Sequence, residues 1–300
     1  MKVHNFSAGP GILPQEVLTE AAQAVINYNN SGLSILEVSH RGPIFEPVLA
    51  EAESLVRELL NVSDEYSVLF MTGGASTQFL LVAMNLLNND EKACYVDTGT
   101  WSSKAIEAAR DFGNIEVLAS SKDKKYTYIP KDYIVPKDAK YLHITSNNTI
   151  YGSEYHWFPN ANGVPVVCDM SSDIFSRKID INYYDLIYAG AQKNMGPAGT
   201  TLVIIKNSLL GKVTRKIPVM LDYNTFIKNG SMYNTPPVYP ILVCMLTLRW
   251  VKKLGGLEGM EIRNIEKANL LYNEIDRNSC FVGTVNKEDR SRMNVCFLPT

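Results

Sequence analysis

Asp185-Leu186-Ile187-Tyr188-Ala189-Gly190-Ala191-Gln192-Lys193-Asn194-Met195-Gly196-Pro197-Ala198-Gly199-Thr200-Thr201-Leu202-Val203-Ile204-Ile205 is two short apolar runs joined by a loop of mostly small residues. Each run has the length and β-branched, aromatic content of a buried strand, so the loop is anchored on both sides. Lys193 therefore emerges from a strand into a confined turn rather than into open solvent. An ammonium held there loses hydration, which lowers its pKa and makes the neutral amine available to attack a carbonyl, as in Schiff-base enzymes. The competing reading is a solvated lysine at a strand end. The rest of the chain decides between them.

On either side of this stretch, short apolar runs alternate with helical patterns. Strands are expected near 67–71, 92–96, 115–118, 140–145, 164–168, 185–189 and 200–205. Helices are expected over Glu16 to Tyr28, Glu46 to Leu60, Gln78 to Leu87 and Trp101 to Phe112, each with apolar residues at three- and four-residue spacing. The alternation predicts an α/β fold with a mostly parallel seven-stranded sheet covered by helices. Ligands of such sheets bind beyond the carboxyl ends of the strands, so chemistry is expected in those loops. After Pro236-Pro237 the pattern changes to helices over Val238 to Leu254 and Leu257 to Asp276, broken at Gly255-Gly256, and then a strand over Met293 to Leu298. This divides the chain into an N-terminal arm (1–15), a large domain (16–256) and the start of a smaller α/β C-terminal domain (257–300). That last unit reads as truncated, because it stops after one alternating strand.

The chain has 300 residues, 46% of them hydrophobic, enough for a large core. A formal net charge of −2, with no basic stripe, argues against nucleic acid and against an anionic membrane surface. The first residues contain no apolar signal segment, and the longest later apolar run, Ile241 to Leu248, is too short to span a bilayer. Five scattered cysteines lack any C-x-x-C spacing, so neither a disulfide framework nor a metal site is expected, and a cytoplasmic location fits. A small-molecule ligand is the remaining expectation.

Val164-Pro165-Val166-Val167-Cys168 is a buried strand ending in Asp169, which sets a carboxylate at the same sheet edge as Lys193. Pyridoxal phosphate needs this pair: an amine for its carbonyl and an acid opposite its ring nitrogen. Asp169 alone could equally be a helix cap or a metal ligand. Thr72-Gly73-Gly74-Ala75-Ser76-Thr77 follows the strand at 67–71 and opens a helix, where backbone amides suit a phosphate. An ordinary capped strand-to-helix turn is the plainer alternative. The loop is neither a Walker sequence nor a dinucleotide turn. Trp101 could stack on a pyridine ring or simply cap the core. Thr149 could donate to a ring hydroxyl or sit idle in its turn, and Gln192 could reach the phosphate or satisfy backbone.

Asn5-Phe6-Ser7-Ala8-Gly9-Pro10, Glu37-Val38-Ser39-His40-Arg41-Gly42, the segment from Tyr188 to Gly199 around Lys193, and Gly230-Ser231-Met232-Tyr233-Asn234-Thr235-Pro236-Pro237 together resemble the phosphoserine aminotransferases. These belong to the class V branch of the fold-type I pyridoxal-phosphate enzymes. The resemblance runs from Asn5 to the segment Ser291-Arg292-Met293-Asn294-Val295. It implies that Lys193 holds the cofactor covalently and moves the proton, and that Asp169 pairs with the ring nitrogen. By the same resemblance Trp101 stacks on the ring and Thr149 contacts its 3-hydroxyl. Ala75, Ser76 and Gln192 hold the phosphate, joined by Asn234 and Thr235 from the second subunit of a homodimer. His40 and Arg41 meet the distal anion of the substrate.

The implied reaction exchanges an amino group between L-glutamate and 3-phosphohydroxypyruvate, and a related four-carbon substrate of pyridoxine biosynthesis is a further expectation. Two departures bear on it. Ser76 stands where some members have arginine, and Ala8 where some have serine. The family's arginine for the substrate α-carboxylate lies in the C-terminal domain, beyond Thr300. Other readings stay open at this point: a different class V enzyme, such as a serine–glyoxylate aminotransferase or a cysteine desulfurase; a nucleotide- or phosphate-binding protein without pyridoxal phosphate; and a non-catalytic protein that keeps the fold.

Overall fold

The computed structural model describes residues 3–300; Met1 and Lys2, the first residues of the expected arm, lie outside the described residues. In chain order the elements are α1 (Gln15–Ile26), α2 (Glu46–Leu60), β1 (Tyr66–Met71), α3 (Gly74–Leu86), β2 (Lys92–Asp97), α4 (Thr100–Ala109) and β3 (Asn114–Ser120). Next come β4 (Leu142–Thr145), β5 (Asn147–Asn148), β6 (Ser153–Glu154), β7 (Val166–Asp169), β8 (Leu186–Gly190) and β9 (Thr201–Lys206). The remainder is α5 (Tyr223–Lys228), α6 (Val238–Lys253), α7 (Gly256–Arg277), β10 (Phe281–Gly283) and β11 (Phe297–Pro299).

The expected seven-stranded sheet forms, in the order β1-β9-β8-β7-β4-β2-β3. Only β9 runs against the others, pairing antiparallel with both β1 and β8. The remaining ladders, β2 with β3 and β4, β4 with β7, and β7 with β8, are parallel. Side-chain alternation divides each strand between two apolar layers. Val166, Cys168, Ile187, Ala189, Leu202 and Ile204 face one layer together with α1, α2 and α6. Val167, Leu186, Tyr188, Val203 and Ile205 face the other with α3, α4 and α5. Asp169 follows Val167 at a spacing of two, so its carboxyl lies on the α3–α4 side. The chain thus brings the starts of α3 and α4 and the ends of β7 and β8 to a single sheet edge.

The structure departs from the sequence reading in a few places. Helix α3 begins at Gly74, earlier than the expected Gln78, because Gly73 takes φ +93° and turns the chain directly into the helix. The strand expected over Met293 to Leu298 is confined to Phe297–Pro299. Ser291 Oγ accepts from the backbone N–H of Met293 and of Asn294 at 3.0 and 2.8 Å, and this local turn replaces the sheet ladder. Helix α1 stops at Ile26, where Asn27 is extended and Asn29 takes φ +48°. Helix α4 stops at Ala109, short of the expected Phe112. Four short elements, β5, β6, α5 and β10, escaped the sequence reading. The break between α6 and α7 falls at Gly255-Gly256, with φ +92° and +65°, as their composition implied. Among the described residues no helix is long and apolar enough to cross a membrane.

Ile187 on β8 is 1% exposed and carries the strand that delivers the lysine loop. Ile187→Ala is expected to destabilise the chain by about 2–5 kcal/mol through lost burial and a residual cavity. Urea unfolding checks this, and a loss below about 0.5 kcal/mol would show that the layer collapses to fill the space.

Candidate active site

The lysine loop is held by its own backbone before any side chain acts. Ala191 N–H donates to Thr200 O at 3.1 Å, and the N–H groups of Met195 and Gly196 both donate to Ala191 O, at 3.1 and 2.9 Å. Met195 is fully buried beneath the loop. Gly196 lies so close to α6 that a Cβ there would sit 2.5 Å from Cys244 Sγ. Lys193 leaves this frame half-buried. Its Nζ lies 2.5 Å from Thr149 Oγ1 and 5.1 Å from the centroid of the Trp101 ring. No carboxylate among the described residues forms an ion pair with it. Burial pushes the Lys193 amine down, while the nearby negative charges of Asp169 and Asp173 pull it back up.

Asp169 stands at the end of the neighbouring strand, 4% exposed. Its Oδ1 accepts from the backbone N–H of Ser171 at 2.9 Å and from the Ser171 hydroxyl at 2.6 Å. Ser171 Oγ in turn accepts from Gly190 N–H at 3.1 Å, which ties the carboxylate to the end of β8 just before the lysine loop. Asp169 Oδ2 takes no hydrogen bond from the described residues. Burial raises the pKa of this acid, against the opposing pull of the Ser171 hydrogen bonds and of Lys193.

Trp101 sits in the first turn of α4, and a second carboxylate fixes that turn. Asp97 Oδ1 accepts from Ser102 and Ser103 at 3.1 and 2.8 Å, and Oδ2 accepts from Ser120 and Tyr126 at 2.8 and 3.2 Å. The Trp101 Nε1 donor is buried without a partner. Ala75 and Ser76 lie in the first turn of α3, which no side chain caps. A Cβ at Gly73 would come within 2.2 Å of Thr77 Oγ1, so this approach to the helix start admits only glycine. Gln192 contributes its carbonyl, which accepts from Gly11 N–H at 2.7 Å.

Lys193, Asp169, Thr149 and Trp101 are therefore brought together at one sheet edge. His40, Arg41, Asn234 and Thr235 form a separate group. Arg41 Nη2 donates to the carbonyls of Met232 and Tyr233, both at 3.3 Å, next to Asn234 and Thr235. His40 Nε2 is buried without a partner. No hydrogen bond among the described residues joins this group to Lys193 within the chain.

The sequence reading missed several contributors. Ser171 was visible as a serine two residues beyond an aspartate, the spacing of a local side-chain turn. Gly9 and Gly11 press on the lysine: a Cβ on Gly9 would lie 3.0 Å from Lys193 Cγ, and one on Gly11 would lie 2.5 Å from Lys193 O. The Gly-Pro-Gly run was their only signal. Asp97 offered none, because its hydroxyl partners become neighbours only once β2, β3 and α4 have packed.

Known proteins of similar sequence and fold give the family. A family model described as class-V aminotransferase matches residues 3–299. The phosphoserine aminotransferase of Flavobacterium psychrophilum is 59% identical over 299 residues, covering 99% of this chain and 84% of that protein. The phosphoserine aminotransferase of Bacteroides thetaiotaomicron is 58% identical over 298 residues, covering 99% and 83%. Among solved structures, a phosphoserine aminotransferase from Bacillus circulans subsp. alkalophilus superposes with a TM-score of 0.95 at 44% identity, covering 99% of this chain and 83% of that one. The PLP-bound phosphoserine aminotransferase of Trichomonas vaginalis gives a TM-score of 0.95 at 37% identity, with 99% and 89% covered. The chain belongs to the class-V aminotransferase family, in its phosphoserine aminotransferase branch.

Proposed function

We propose that this chain transfers the amino group of L-glutamate to 3-phosphohydroxypyruvate, giving 2-oxoglutarate and O-phospho-L-serine, with pyridoxal phosphate as its cofactor. The observation that carries the reading is the half-buried amine of Lys193, which has no carboxylate partner among the described residues and faces Trp101 one strand away from Asp169.

The residues present fit the cofactor. The uncapped start of α3 leaves first-turn amides free for a phosphate, with Ala75 and Ser76 contributing there and Gln192 alongside. The Gly73 approach, closed to any side chain, lets that group come near the backbone. Asp169 Oδ2, unclaimed by the protein, suits a protonated ring nitrogen. Trp101 offers a flat face, and Thr149 a hydroxyl. When bound, pyridoxal phosphate supplies an electron sink for the pair left on the substrate α-carbon as its proton departs.

The chain's own residues do the rest. Lys193 Nζ would hold the cofactor covalently; freed and neutral, it would accept the substrate α-proton, and protonated, it would return it. Thr149 Oγ1, at 2.5 Å, fixes where that nitrogen rests. Asp169, anchored by Ser171, supplies the fixed negative charge. Among the described residues Arg41 offers a guanidinium whose protein partners are only two carbonyl oxygens, and His40 beside it carries an unpartnered ring nitrogen. Such a pair suits the phosphate of one substrate and the distal carboxylate of the other. Arg41, Asn234 and Thr235 make no hydrogen bond to Lys193 among the described residues, which supports a homodimer in which each subunit lends this group to its partner's site. A cytoplasmic location and the four-carbon reaction of pyridoxine biosynthesis belong to the same proposal.

Borohydride reduction of the holoenzyme is expected to fix the cofactor to the peptide carrying Lys193, and Lys193→Ala to abolish the adduct. Labelling at another lysine would overturn the assignment. Burial depresses the amine's pKa, so the neutral fraction is present above that depressed value and lost as pH falls through it. Capture of added cofactor by apoenzyme should therefore accelerate as pH rises through that range, and stopped-flow absorbance reads it. Gly73→Ala puts a methyl group against Thr77 at a left-handed φ, and should weaken cofactor binding roughly tenfold or more in equilibrium dialysis while the fold persists. Arg41→Ala should lower kcat/KM for 3-phosphohydroxypyruvate by about a hundredfold, the scale of a lost charge-assisted anion contact. An unchanged value removes Arg41 from the substrate site.

A further inference from the structure

The loop that carries Thr149, the hydroxyl partner of Lys193, is held from outside the large sheet. Its main-chain acceptors turn toward residues 284–296, which follow α7. Ile150 O accepts from Cys296 Sγ at 3.4 Å, Tyr151 O from Thr284 Oγ1 at 3.3 Å and Gly152 O from Ser291 N–H at 2.7 Å. A Cβ on Gly152 would lie 2.8 Å from Asn294 O, so the two segments meet as bare backbone. The ends of the loop are fixed separately. Glu154 Oε2 accepts from Arg292 N–H at 2.7 Å, and Glu154 pairs with Arg177 Nε at 3.0 Å. Arg177 Nη2 reaches Asp173 Oδ2 at 3.3 Å, and Asp173 Oδ1 accepts from Ser146 Oγ at 2.5 Å. A buried ionic cluster thus pins the ends, while residues 284–296 hold the middle, where Thr149 sits.

Asn147 and Ser291 are the point of contact, 2% and 0% exposed. Ser291 Oγ accepts from the N–H groups of Met293 and Asn294, so its own proton goes to Asn147 Oδ1, at 2.5 Å. The two amide hydrogens of Asn147 go to Asn294 Oδ1 and to Ser172 Oγ, both at 2.8 Å. Ser172 Oγ gives its proton to Asn147 O at 2.9 Å. Every proton of this chain of contacts has its own acceptor, so the geometry admits one arrangement. Ser172 adjoins Ser171, the anchor of Asp169. Asn148 Nδ2 reaches Thr98 Oγ1 at 3.2 Å, just before the turn that presents Trp101. A satisfied buried network is rigid, and removing one member strands its partners. Displacement of Ser291 therefore moves Asn147, two residues before Thr149.

We propose that Ser291 is a positioning residue for the amine: through Asn147 and the Gly152 carbonyl it sets where the Thr149 hydroxyl meets Lys193 Nζ. The 2.5 Å contact between hydroxyl and amine depends on the loop keeping its place. A hydrogen bond donated by Nζ favours the ammonium form, so its loss lowers the amine's pKa. The consequence for proton transfer rests on the cofactor reading above; the placement of the amine does not.

In the full chain freed of cofactor, competitive acetylation by acetic anhydride, read by peptide mass spectrometry, gives the pH midpoint of Lys193. Ser291→Ala is expected to lower it by about half a unit or more, in the same direction as Thr149→Val. Added to Thr149→Val, it should produce no further fall, because both act on one contact. Leu55→Ala, in the core on α2, loosens the fold without touching the loop and should leave the midpoint in place. An unmoved midpoint in Ser291→Ala, a fall that adds to that of Thr149→Val, or an equal fall in Leu55→Ala overturns the proposal. If Ser291→Ala does not fold, Ser291→Cys, of similar shape and weaker hydrogen bonds, takes its place under the same criteria. In the holoenzyme, Ser291→Ala should slow a single turnover with L-glutamate about tenfold, the scale of a misplaced reacting group, and an unchanged rate overturns the proposal. Failure of borohydride labelling at Lys193 would remove the cofactor reading and leave the acetylation midpoint to decide.

Discussion

A half-buried lysine amine with no carboxylate partner among the described residues is the constraint around which this site is arranged. Most buried cations are neutralised by contact, and contact would hold this one as ammonium. Here the negative charges stand one strand away, where they act through distance alone, and the near partner is a neutral hydroxyl. The protein keeps Asp169 at that remove by occupying it elsewhere. Ser171 takes one of its oxygens and passes the restraint on to Gly190, so the acid and the amine are fixed relative to each other without touching. The sheet supplies the rigidity, because β7 and β8 are paired parallel and both faces of the pair are covered.

The same logic extends outward. Asp97 is a carboxylate held by four hydroxyls and no cation, and it fixes the turn that presents Trp101. At the start of α3 the helix leaves its first amides open where a phosphate can use them. Asp169 and the Trp101 turn are thus each held by hydroxyls packed behind them. Arg41 is the exception, since its guanidinium rests on backbone carbonyls at the margin of the chain and not in the sheet edge.

Much of this was legible in the sequence, for a definite reason. Lys193, Asp169, Thr149 and Trp101 each follow a short apolar strand, and periodicity alone puts the ends of parallel strands at one edge. The pattern cannot show what happens between segments distant along the chain. Ser146, Asp173, Arg177 and Glu154 meet because β4, β6 and the loop after β7 pack together, and nothing local to any of them announces it. Gly73-Gly74 read as a turn preceding a helix, whereas Gly74 already belongs to the helix. The alternation at Met293 to Leu298 suggested a longer strand, but the Ser291 hydroxyl captures the backbone donors that a ladder would need.

The reversed strand β9 carries a consequence for how the chain folds. The lysine loop joins neighbouring antiparallel strands, so it closes over a short stretch of chain at small entropic cost. Strand β1, which leads into the Gly73-Gly74 turn, reaches the sheet only by pairing with β9 from more than a hundred residues away, as in the register of Tyr66 with Lys206. Contacts of such separation form late. Lys193 and its loop are therefore specified early by local pairing, and the turn at the start of α3 is added afterwards. A folding intermediate of this chain would have its lysine loop in place before it could retain a cofactor.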